Sequence, residues 1–169
     1  MSRIVFAFLF TLMLAIPSQA APYRMISLGL YQDNDTLSHR IPEVSGLSDY
    51  IKDLNLTAAV YLEAVGSRFP QTFEIVVAIR PSGKSKVWII SSRDKFDDEK
   101  GLTEALEKVT APKPKDGPVA ICLLSSLSNA PDEKKLTQPG IPASWMAAIK
   151  TLNNPPQLLD KVLPLVWKE

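Results

Sequence analysis

Thr72 to Arg80 (TFEIVVAIR) and Lys86 to Ser92 (KVWIISS) are rich in β-branched residues, and only the five residues Pro81 to Ser85 separate them. A glycine in a short polar loop between two such runs predicts an antiparallel hairpin. An isolated hairpin is marginal in water, so the rest of the chain must supply strands or helices to cover it.

Candidates for the cover lie on both sides. Residues 23 to 31 (YRMISLGLY) predict a first strand, ended by the polar turn Asp33-Asn34-Asp35. The stretch from there to Ser45 reads as loop. Leu47, Tyr50, Ile51 and Leu54 then fall at helical spacing, with Ser45 and Ser48 as candidate N-caps. The stripe is open to a break at Asn55 and resumes through Ala58, Tyr61, Leu62 and Val65 to a stop at Gly66. Its β-branched and aromatic content keeps a strand open as the alternative for that second half.

After the hairpin, Leu102, Ala105, Leu106 and Val109 mark an amphipathic helix, with Asp97, Asp98 and Glu99 near its N-terminal end, where carboxylates are favoured. Pro118 to Leu124 (PVAICLL) is continuously apolar and predicts a strand covered on both faces. Ser125 to Pro142 reads as a long surface loop. A C-terminal helical extension over about 140–166 follows. One stripe in it runs through Trp145, Ala148, Ile149 and Leu152; a short second one carries Leu158, Leu159, Val162 and Leu163, which Pro164 should bend or end. The fold class expected is α+β: a small two-layer sandwich, a mainly antiparallel sheet with a central hairpin packed against helices.

The N-terminus has a different character. Arg3, the apolar run Ile4 to Ile16, and the small residues Ser18 and Ala20 read as a cleavable secretory signal, residues 1–20, with cleavage after Ala20. Residues 21–169 then form a single domain of 149 residues. That length supports a core without staples, which matters because Cys122 is the only cysteine and no intramolecular disulfide is possible. Loss of Arg3 leaves 18 basic against 18 acidic side chains. Nucleic acid is therefore not an expected partner, since its binding leans on a positive field. No later apolar run approaches membrane length, so no stable membrane insertion is expected after cleavage. The expected location is the periplasm, or outside the cell if the source lacks an outer membrane.

Chemistry-bearing residues are sparse. His39 is the only histidine, and any Ser-His or Cys-His arrangement would have to use it. One His and one Cys cannot furnish the usual zinc ligands. Cys122, between Ile121 and Leu123, reads as a small buried hydrophobe. The acidic clusters lack the spacing of a calcium loop, and Gly83-Lys84-Ser85 lacks the first glycine and the following helix of a phosphate loop. No catalytic residue, metal ligand or cofactor is expected. Exposed aromatics and nearby cations remain as handles for a partner: Trp88, Lys84, Lys86 and Trp167.

Between Tyr61 and Leu124 the words VVAIRPSGKSKVWIISS and GLTEALEKVTAPKPKDGPVAI give the order helix, hairpin, helix, strand. This resembles the C-terminal domain of the TonB/TolA family of envelope energy-transduction proteins, at Ile75 to Ile79, Gly83, Val87 to Ser92, Leu102 to Leu106 and Pro112 to Val119. The expected cleavable signal stands where that family carries an uncleaved membrane anchor, and no long linker of that kind is expected here. The resemblance implies a small α/β domain whose sheet edge engages a protein partner. The expected function is an exported, non-catalytic interaction protein of the cell envelope: an accessory, inhibitor or immunity-type factor. The alternatives are a small exported hydrolase using carboxylates or Ser38-His39, and a periplasmic small-ligand-binding protein.

Overall fold

The computed structural model describes residues 23–66, 70–92, 96, 98–128, 130, 139–152 and 158–168. The signal read over 1–20 lies outside them. The elements run β1 (Tyr23–Leu30), α1 (Asn34–Arg40), α2 (Val44–Val65), β2 (Gln71–Ile79), β3 (Ser85–Ser91), α3 (Glu99–Glu107), β4 (Val119–Leu127), α4 (Ala143–Thr151) and α5 (Leu158–Val166). The four strands form one antiparallel sheet in the order β1-β4-β2-β3. The α+β class and the antiparallel hairpin expected from the sequence are present.

Strand alternation sorts the side chains of β2 and β4 into two faces. Phe73, Ile75, Val77, Ile79, Val119, Ile121 and Leu123 point to one face, and the buried stripes of α2 and α3 close over them. Val76, Ala78, Ala120 and Cys122 point to the other, where Trp145 of α4 and Leu159, Val162 and Leu163 of α5 cover them. Small residues on this second face leave room for the large indole of Trp145, which is completely buried. The C-terminal extension thus adds a helical layer to the two expected, and both central strands are buried apart from the half-buried Glu74 of β2.

Five local readings are corrected. The stretch after Asp33 is not all loop: Asn34–Arg40 is helical, because the Asp33 carboxylate accepts from Thr36 N at 2.7 Å and Thr36 Oγ1 at 3.0 Å and so caps the first turn. α2 does not break at Asn55, and its second half is not a strand. Leu47, Tyr50, Leu54, Ala58 and Leu62 form one unbroken buried stripe, and the stop at Gly66 comes from its left-handed φ of 69°. The N-cap of α2 is Glu43 rather than Ser45 or Ser48. β4 continues through Ser125 and Ser126, both buried, where Ser125 Oγ meets the Tyr23 hydroxyl at 3.2 Å. Pro164 does not end α5, which runs to Val166 around it.

Candidate functional site

The loop between β2 and β3 is closed by Arg80 N donating to Lys84 O at 2.9 Å and Gly83 N donating to Arg80 O at 2.8 Å. Gly83 takes a φ of 80°, which a side chain would strain. This turn leaves Arg80 at the end of the sheet, pointing at the last turn of α5. Its guanidinium lies over the Trp167 ring, 4.1 Å from the centroid, and its Nη2 donates to Trp167 O. Trp167 N in turn donates to Leu163 O at 2.9 Å, continuing the turn beyond Pro164.

A cleft of about 540 Å³ opens beside Trp167, with Pro81, Pro118, Leu163 and Pro164 as its apolar walls and Lys168 at its rim. A second depression of about 440 Å³ lies along Trp167 toward Lys84, Lys108 and Ala111. Trp167 lines both, so the cleft and the depression adjoin at its side chain as a two-part groove at the turn end of the sheet.

The floor of the cleft is held by an ion pair. Arg40 meets Asp160 through both guanidinium nitrogens, at 3.0 and 2.8 Å, and its Nη1 also donates to Pro118 O at 2.6 Å. Gln32 fixes the same peptide, donating to Pro118 O at 3.0 Å and accepting from Ala120 N at 3.3 Å. A Cβ on Gly117 would stand 2.6 Å from Arg40 Cζ, so glycine is needed for the guanidinium to pass. Arg40 therefore ties α1, the lead into β4, and α5 together. A polar cavity of about 300 Å³ lies beside this pair, between Tyr31, Gln32, Thr36 and Leu159.

A second polar cluster sits under α4. Cys122 Sγ is 3.2 Å from Glu74 Oε2, the same oxygen accepts from Gly140 N at 2.7 Å, and the Tyr31 hydroxyl donates to Gly140 O. Burial, then the Glu74 carboxylate, push the Cys122 thiol far up, and burial does the same to Tyr31. A thiol so held stays protonated and is no nucleophile. The cluster straps the chain before α4 onto the sheet.

The four residues marked in the sequence as partner handles fall in different places. Trp167 and Lys84 line the groove. Trp88 belongs to the second face, edge-on to Trp145 at 5.2 Å between ring centroids. Lys86 is half-buried on β3, opposite Ala78, and does not line the groove. Sequence reasoning missed Arg80, Pro118, Asp160 and Pro164; only the position of Arg80 at the end of a predicted strand pointed toward the turn.

His39 lies on the last turn of α1, 3.4 Å from Asp116, with both side chains largely exposed. Ser38 is its immediate helical neighbour, and adjacent helical side chains do not face one another. Asp33 and Asp98 serve as N-caps of α1 and α3, and Asp97 lies outside the described residues. Among the described residues no group of three His, Cys, Asp or Glu side chains could hold a metal ion, and no helix is long and apolar enough to cross a membrane. No protein-family model, curated protein or solved structure matches the chain.

Proposed function

We propose that this chain is an exported, non-catalytic interaction protein of the cell envelope, which binds a protein partner in the groove around Trp167. The observation that carries the reading is the cleft of about 540 Å³ in which proline and leucine walls flank a tryptophan held in place by Arg80. Aromatic side chains in apolar recesses anchor protein interfaces, and pre-ordering them lowers the entropic cost of binding.

Residues 61–124 form α2 from its last turns, then β2, β3, α3 and β4, an order in keeping with the TonB/TolA-like reading. Strand addition at the outer edge of β3 is the less favoured mode, because Glu107 Oε1 already accepts from Val87 N there at 3.0 Å. Among the described residues the groove at the end of the sheet has no such cover. Its volume also falls within the range of small-molecule sites, which keeps the ligand-binding alternative on the same residues.

The test is affinity capture from gently solubilised expressing cells, with wild type beside Trp167→Ala, together with mass measurement of the purified chain. The reading expects a chain shortened by the signal and one envelope protein enriched by the wild type alone. Equal enrichment by both variants, or a thermal shift with a metabolite and no enriched protein, contradicts it.

A further inference from the structure

We infer that the groove around Trp167 takes an acidic peptide segment of a partner, one that places an apolar or aromatic side chain between Pro81, Pro118 and Trp167 while its carboxylates meet a ring of cations. The inference rests on the protein-binding reading and adds the chemistry of what is bound.

Charge is locally imbalanced at this end of the molecule. Overall the chain is nearly neutral, with 19 basic and 18 acidic side chains. At this end it is not. Lys168 stands at the rim of the cleft, and Lys84 and Lys108 line the adjoining depression. Lys113 lies across the hairpin turn, its Cγ 3.0 Å from where a Cβ of Gly83 would be. Among the described residues none of these four lysines forms an ion pair.

The carboxylates that share the groove are already engaged. Asp160 is held by Arg40 through two bonds, and Glu107 accepts from Val87 N. Glu107 keeps its charge, so among the described residues the groove presents four lysines against one carboxylate beside its apolar walls, a net positive charge. A segment bearing carboxylates on both sides of an apolar anchor complements this arrangement, whereas a basic or purely apolar one does not. Cation clusters reading acidic motifs are a recurrent mode of peptide recognition.

Fluorescence polarisation with the full chain tests it. The probe is a labelled eight-residue peptide of aspartate and glutamate around one central phenylalanine, beside a lysine version of the same length. The expected result is saturable binding of the acidic peptide and at least about tenfold weaker binding of the basic one, with affinity falling several-fold between about 0.05 and 0.5 M salt. The triple variant Lys84→Glu, Lys108→Glu, Lys168→Glu should lose the acidic peptide by about tenfold or more, and Trp167→Phe should retain much of what Trp167→Ala loses. Unchanged circular dichroism and melting would show that the triple variant is folded.

Equal binding of the two peptides, or an affinity untouched by charge reversal in a folded variant, overturns the inference. So does binding of anionic-lipid vesicles, or concentration-dependent dimers, that persists while the acidic peptide is ignored. Should Trp167-dependent capture of an envelope protein survive the triple charge reversal, the acidic chemistry fails and the protein-binding reading stands. Should neither peptide bind and no capture depend on Trp167, both fail.

Discussion

Burial shifts the titration of Cys122 and of Tyr23, Tyr31 and Tyr50 in one direction. Tyr61 also moves up, chiefly because its hydroxyl donates to Asp98. At pH 8 the folded protein should leave Cys122 unlabelled by a thiol reagent, and guanidinium should release one reactive thiol per chain; rapid native labelling would contradict this. Tyr50 is pushed up to about 12 by burial, against about 10 in an unfolded chain. The raised folded value means that its contribution to stability is complete below about pH 10 and is lost as pH rises toward about 12. Tyrosinate absorbance should therefore stay low through pH 10 and rise with unfolding, and a full normal titration of the folded chain would refute it. The burial of Cys122 was legible, because its flanking residues are apolar. The role of Arg40 was not, since its partner Asp160 is 120 positions away and nothing local marks either residue.

At the scale of elements, the Arg40–Asp160 pair joins α1 to α5. Arg40→Ala leaves the half-buried Asp160 carboxylate without its guanidinium and the Pro118 carbonyl with Gln32 as its donor, and should cost about 2–4 kcal/mol by denaturant unfolding. Arg40→Lys should recover less than half of that, because an ammonium cannot reproduce the two-pronged contact. A cost below about 0.5 kcal/mol for the alanine variant would show the tie to be idle. Trp145→Ala removes the indole that fills the second face, at about 3–5 kcal/mol, and should release the α4–α5 layer first, visible as faster amide exchange on the second face than under α2. Sequence periodicity found the strong stripes of α2 and α3. It missed α1, although Asp33 three residues before Thr36 is a capping signal, because so short a helix has no buried residue to reveal a period. It shortened β4 because Ser125 and Ser126 are polar, while the fold buries both by packing them between β1 and β2.

For the whole molecule, three layers and one groove follow from the two-faced character of β2 and β4. The bulky face takes α2 and α3, and the face of Val76, Ala78, Ala120 and Cys122 takes the C-terminal pair, whose end brings Trp167 to Arg80. Fold class was legible because it rests on periodicity. The groove was not, because its residues come from the hairpin turn, the lead into β4 and the end of α5, and a near-neutral total conceals four lysines gathered at one end. The central claim is that this end of the sheet is the working surface, and photo-crosslinking in expressing cells tests it most directly. A photoreactive phenylalanine would replace Lys168 at the groove, or Leu56 on the exposed side of α2, which is 62% exposed. The account predicts one discrete protein adduct from position 168, abolished by Trp167→Ala, and none from position 56. An adduct from position 56 alone, or one from position 168 that ignores Trp167→Ala, would contradict it.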